Sequence, residues 1–206
     1  MDRRQQTLIV ALVLLSVAVG FGSLFLGRYP ISPGTMVRVL ASPLVPVEVD
    51  WEETVETVVF NIRLPRVLLA MLIGAGLSVS GAAFQGMFQN PLVSPDILGV
   101  TAGAGFGAAL GILLSGSAVV IQLSALAFGI VAVVFTYLIS RVYRTTPTLM
   151  LVLSGIVIGS IFSALLSLAK YVADPQEKLP AIVFWLMGSL ATVSKSDVVY
   201  AAPPMA

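Results

Sequence analysis

Residues 63–108 read RLPRVLLAMLIGAGLSVSGAAFQGMFQNPLVSPDILGVTAGAGFGA, and no other segment constrains the fold as tightly. Two arginines, Arg63 and Arg66, open it. Val67 to Pro95 then runs 29 residues without a charge. A bilayer crossing needs roughly 20 predominantly apolar residues. A polar turn follows, marked by Asn90-Pro91 and Pro95, with Asp96 its one charge. The chain then re-enters apolar, Gly-rich sequence. A helix out of the turn and a helix into it is the simplest reading.

Composition agrees. Of 206 residues, 58% are hydrophobic and 10% charged, with mean hydropathy +1.02. Soluble domains carry about 25% charged residues. The chain therefore reads as an integral membrane protein. A formal charge of +1 points to no nucleic-acid partner. Cys and His are both absent, which removes disulfides, thiolate chemistry and the commonest metal ligand and acid–base residue. No metal site and no cofactor are expected.

Charge gaps place the other helices. Gln5–Gly27 is charge-free for 23 residues, longer than the apolar core of a signal peptide, about 7–15 residues. It reads as an uncleaved first helix. Residues 28–66 form a polar connection holding Pro30, Pro33, Pro43 and Pro46 and the acidic cluster Glu48, Asp50, Glu52, Glu53 and Glu56. Within it, Thr54–Asn61 fits a short strand or a short helix equally well. The second helix covers about 67–88. Ile97–Ser140 has 44 charge-free residues, enough for two helices, at 98–114 and 118–140, broken near Ser115-Gly116-Ser117. Leu149–Ala169 is the fifth helix. Ala181–Val193, 13 apolar residues, suits a re-entrant or interfacial helix, and a sixth span begins at Val198 and is incomplete. The expected fold is all-α: one polytopic transmembrane domain over 1–206, with about five full crossings.

Positive residues favour the cytoplasmic side. Arg3, Arg4, Arg141 and Arg144 then lie inside with the N-terminus. Segments 28–66 and 170–180 lie outside, and the 89–96 and 141–148 loops inside. Arg63 and Arg66 run against this trend.

Small residues recur every fourth position at Gly74, Ser78, Ala82 and Gly86, and again at Gly103, Gly107 and Gly111. Such spacing lets helix backbones approach closely in lipid, so tight packing is expected of both rows. Gly103, Gly105 and Gly107 lack the preceding strand that a dinucleotide loop requires. Ser78, Ser80, Ser154 and Ser160 lack any base in the crossings, so catalysis has no support. The absence of intramembrane charge argues against a proton-coupled pump. Passive conduction remains, or transport powered by another subunit.

The order RLPR, then GAxLxxSGAxxQxxxxNPLxxPxxLGxxxGA, with LSGIVIG at 153–159 and FWLMGSL at 184–190, resembles the permease family of ABC importers for ferric siderophores, haem and cobalamin. The resemblance implies a homodimeric permease in the inner or plasma membrane, surrounded by lipid. Cytoplasmic ATPase subunits would hydrolyse ATP, and an extracytoplasmic binding protein would deliver the cargo. The permease itself would not be an enzyme. Arg63 and Arg66 match the outer arginines that receive acidic residues of the binding protein. Gln89, Asn90, Pro91, Pro95 and Gly99 match the turn between the second and third helices. Thr145, Thr146 and Thr148 fall near the family's polar constriction at the cytoplasmic mouth, a possible gate. Family subunits are longer, so the resemblance implies an amino-terminal part, truncated and inactive alone. Ferric siderophore is the expected cargo, with haem, cobalamin and oxyanions open. A stand-alone small channel or a structural membrane subunit is the rival reading.

Overall fold

A computed structural model describes residues 2–142 and 147–205. Among these residues every regular element is helical. The elements are α1 (Arg3–Ser23), α2 (Pro33–Ala41), α3 (Glu53–Glu56), a π-helical segment (Thr57–Arg63), α4 (Leu64–Phe88), a 3-10 turn (Pro95–Leu98), α5 (Val100–Leu114), α6 (Ala118–Ser140), α7 (Pro147–Val172), α8 (Lys178–Met187) and α9 (Lys195–Met205).

Four helical stretches are long and apolar enough to cross a membrane: Arg3–Ser23, the 36-residue run Glu53–Phe88, Ala118–Ser140 and Thr148–Val172. The 36-residue run would reach about 54 Å at 1.5 Å per residue, against a hydrocarbon core of roughly 30 Å. Part of it therefore lies beyond the lipid. Helix α5 has 15 residues, short of a full crossing. Its start is fixed by Gly99, whose φ of 74° is left-handed, a conformation glycine adopts without a Cβ penalty.

The chain divides into two compact units, 1–76 with 190–206, and 77–189. In the first unit the 28–66 connection is more than a polar loop. Met36 and Val39 of α2 pack with Val55 and Val59 in a small core, edged by Phe25, Ile31, Leu40, Trp51 and Phe60. Ser32 caps α2 by accepting a hydrogen bond from the Thr35 amide at 3.1 Å, with Pro33 in the first turn, a position that suits proline's fixed φ. The open choice at Thr54–Asn61 resolves as helix, continuous with α4. Its last turns are π-wound just ahead of Pro65. In a regular α-helix the Pro65 ring would clash with the Asn61 carbonyl, and a wider turn relieves that clash.

In the second unit, α5, α6 and α7 pack together. Phe106, Phe128 and Phe162, one from each helix, meet with ring centroids 5.1–6.3 Å apart. The α5 glycines make the α5–α6 seam. A Cβ on Gly103 would lie 2.6 Å from the Phe128 carbonyl oxygen, one on Gly111 would lie 2.9 Å from the Ile121 Cα, and one on Gly107 would overlap the Ser124 carbonyl. Close packing holds for this row. In the α4 row a Cβ on Gly74 or Gly86, and one on the neighbouring Gly81, would meet nothing within 4 Å among the described residues.

At the carboxyl end, α8 stops at Gly188, with φ 70°, so the apolar 181–193 segment is helical only to Met187. Helix α9 starts at Lys195 and runs through Pro203 and Pro204 to Met205, farther than two prolines in a row suggest.

Candidate functional site

Three groups of residues carried functional expectations, and the structure treats them differently.

Arg63 closes the π segment and turns inward. It is 7% exposed. One Nη donates to the Leu24 carbonyl at 2.7 Å and the other to the Tyr29 carbonyl at 2.5 Å. Leu24 is the C-cap of α1, where carbonyls lack intrahelical partners and cations are favoured. Arg63 thus ties the end of the first helix to the start of the second. Gly27 makes room for it: a Cβ there would stand 2.6 Å from Nη2. Arg66, half-buried, donates to the Ala191 carbonyl, and its Nε finds no acceptor among the described residues. Both arginines, with the exposed Arg28, line a cavity of about 900 Å³ whose other walls are mainly apolar residues of α1 and α4. The two arginines are therefore not equivalent: Arg63 is buried and bonds two backbone carbonyls, whereas Arg66 is half-buried, with a bond to the Ala191 carbonyl and a buried Nε.

The segment joined to Arg66 is ordered by its own cap. Asp197 Oδ2 accepts from the Ser194 amide at 2.8 Å and from its hydroxyl at 2.7 Å. These two bonds, the amide first, hold the Asp197 carboxyl below its ordinary value of 3.8. Lys195 sits 6.0 Å over the Phe60 ring.

The chain between α4 and α5 runs from Gln89 to Gly99. Gln89 leaves the helix with φ 50°, and Asn90 Oδ1 accepts from the Leu92 amide at 2.9 Å, an Asx turn. Pro95 opens the 3-10 turn and Gly99 closes it. Turn and gate expectations partly converge. Asn90, Leu92 and Ile97 of the turn share a cavity of about 560 Å³ with Thr148, Leu149 and Val152 of α7. Thr145 and Thr146 lie outside the described residues.

Sequence reasoning missed what fastens this turn. Thr136 of α6, fully buried, donates its hydroxyl to the Leu98 carbonyl at 3.0 Å. Gly155 of α7 sits so close to the Ile97 carbonyl that a Cβ would overlap it. A Cβ on Gly99 would stand 2.9 Å from the Gly159 amide nitrogen. The Gly155/Gly159 spacing within LSGIVIG was a readable signal of a close backbone crossing. Thr136 was not, because a threonine in an apolar helix usually bonds back to its own helix.

Among the described residues no group of acidic side chains could hold a metal ion. What the geometry offers is a set of apolar helices, a fastened turn and a pair of arginines at the start of α4. Residues 10–206 match the FecCD transport family. The chain belongs to the FecCD transport family.

Three relatives illustrate the range of named cargo. The molybdate import system permease protein MolB of Haemophilus influenzae is 42% identical over 185 residues, 90% of this chain and 54% of MolB. The cobalamin import system permease protein BtuC of Halobacterium salinarum is 36% identical over 159 residues, 77% of this chain and 42% of BtuC. The probable iron chelatin transport system permease protein of Helicobacter pylori is 44% identical over 142 residues, 68% of this chain and 42% of that protein. A solved structure, described as an inward-facing conformation of a metal-chelate type ABC transporter, superposes with TM-score 0.81 at 38% identity. It covers 97% of this chain and 59% of that one. The FecCD chain spans about half the length of the curated relatives it matches.

Proposed function

We propose that this chain is a transmembrane permease portion of an ABC importer in the inner or plasma membrane, and that its cargo is a metal chelate, a ferric siderophore. The observation that carries the reading is family membership over residues 10–206, with the fold likeness to a metal-chelate type transporter beside it. The permease forms one transmembrane domain and pairs with a second copy around the pathway. It works with cytoplasmic ATPase subunits and an extracytoplasmic binding protein, and the N-terminus lies in the cytoplasm. Thr148, with Thr145 and Thr146, contributes a polar constriction at the inner mouth. Molybdate is the second reading of the cargo, favoured by the 42% identity to MolB across 90% of this chain.

Deleting the gene and measuring uptake of radiolabelled ferric siderophore and radiolabelled molybdate separates the two. Loss of siderophore uptake alone is expected. Loss of molybdate uptake alone overturns the siderophore reading, and no loss of either overturns the importer reading.

Docking of the binding protein falls chiefly to Arg66, whose fork can meet a carboxylate with two hydrogen bonds. Arg66→Glu should slow association and flatten its salt dependence, because rim charges act largely on the encounter rate. Stopped-flow association with the loaded binding protein reads this, and an unchanged rate at low salt returns Arg66 to anchoring its own chain at Ala191. Orientation is checked by Asp174→Cys, a clean reporter in a chain without cysteine. Labelling from the extracytoplasmic side is expected.

A further inference from the structure

The chain between α4 and α5 is fastened to α6 and α7 at one end and carries local turn bonds at the other. Its second half, Ile97–Gly99, is held from two helices. The buried Thr136 hydroxyl donates to the Leu98 carbonyl at 3.0 Å. Gly155 presses on the Ile97 carbonyl, and Gly99 lies against Gly159, with no room for a side chain at Gly155 or at Gly99. A carbonyl buried under Thr136 has no water to fall back on, and leaving it unpaired is costly. The first half differs. Gln89 carries a left-handed φ of 50°, uncommon for a residue with a Cβ. Pro91 and Leu92 are exposed, Leu92 to 89%. The α4 turn before it carries Gly86, beside which a Cβ would meet nothing within 4 Å among the described residues.

We infer that Thr136 is a positioning residue that makes Ile97–Gly99 part of one body with α6 and α7, and that Gln89–Asn90 is the joint between this body and the end of α4. The inference rests on the transport reading for its meaning: in a permease that alternates between two states, the turn travels with α7 rather than with α4. The wall formed by Ile97, Thr148 and Val152 then keeps its shape, while Leu92 across the 560 Å³ cavity can be repositioned from the joint. Backbone torsion at a few residues near an element's end is how hinges absorb such change.

The geometry is testable on the chain itself, whatever it carries. Spin labels at Asp96→Cys and Leu149→Cys report within the proposed body. Labels at Met87→Cys and Leu149→Cys report across the joint. All three positions are exposed. In lipid nanodiscs the 96–149 distance distribution should be narrow and the 87–149 distribution broad. Thr136→Val, which keeps the shape and removes the hydroxyl, should broaden the 96–149 distribution, and Thr136→Ser should restore it. In the unsubstituted chain, amide exchange over 97–103 should match the slow exchange of α7. In Thr136→Val it should speed by about tenfold, the scale of one lost buried hydrogen bond. A 96–149 distribution unmoved by Thr136→Val overturns the role of Thr136. A broad distribution in Thr136→Ser assigns the effect to packing and overturns it as well. Should Thr136→Val not fold, fast 97–103 exchange in the unsubstituted chain overturns the single body by itself. An 87–149 distribution as narrow as 96–149 overturns the joint.

Discussion

The two compact units join their helices by opposite means. In the second unit α5 meets α6 through glycine, at Gly103, Gly107 and Gly111, where backbone lies on backbone. In the first unit the end of α1 is tied to the start of α4 through one long cation, Arg63, reaching two carbonyls. The first device is distributed and apolar: no single contact matters much, but any added volume is felt along the whole seam. The second is concentrated and polar: one side chain carries the tie, and its removal leaves oxygens unpaired. Glycine spacing alone does not say which device a helix uses, since a Cβ at Gly74 or Gly86 of the equally regular α4 row would meet nothing within 4 Å among the described residues.

The sharpest way to break this comparison is added volume. Gly107→Leu should destabilise the second unit by about 3 kcal/mol or more, at the upper end of overpacking costs, because the atom in the way is backbone. A lower melting temperature in detergent checks it. Next comes the polar tie. Arg63→Met keeps the stem and deletes the charge, leaving the Leu24 and Tyr29 carbonyls without their donors, at about 2 kcal/mol. Hydrogen exchange should then quicken at the end of α1 and remain unchanged in α5–α7; quickening in both regions would show that the two devices are not separate. Gly86→Ala on the α4 row should be neutral or stabilising by up to about 1 kcal/mol, the helix-propensity gain of alanine. A loss of stability there would mean that the row has a packing partner in the functional state. The smallest effect is that of acid. The Asp197 carboxyl is held below 3.8 by Ser194, so its cap contributes above that value and is lost as pH falls through the lower folded value. Acid should therefore loosen residues 190–206 before it disturbs the glycine seam, as exchange measured at descending pH would show.

Much of this arrangement was legible. The helix ends at Phe88, Leu114 and Ser140 fall where charge gaps close or Gly, Ser and Pro cluster, because the cost of charge in lipid and the loss of donors at proline act locally. The FecCD string located the turn and the arginines. Legibility failed where a partner came from far along the chain. Nothing near Arg63 in sequence says that its acceptors are at Leu24 and Tyr29, since every residue has a carbonyl. Nothing near Thr136 points to Leu98. The π winding before Pro65 has no periodic signature of its own. Thr54–Asn61 looked equally like strand and helix because its apolar residues reach a core supplied by α2, which charge counting treats only as a polar connection.

The fit of Gly27 against Arg63 also constrains history. A Cβ at 27 would stand 2.6 Å from the Arg63 Nη2, so the guanidinium keeps this pose only where that position stays bare. Among descendants of this chain, any lineage that gains a side chain at 27 should have given up the tie, by losing the arginine or by turning its guanidinium aside. The reverse order is free: an arginine lost first leaves glycine unconstrained. The two positions should therefore drift asymmetrically, with glycine persisting after its reason has gone, and a bare 27 opposite a shortened 63 would be the residue of an abandoned tie.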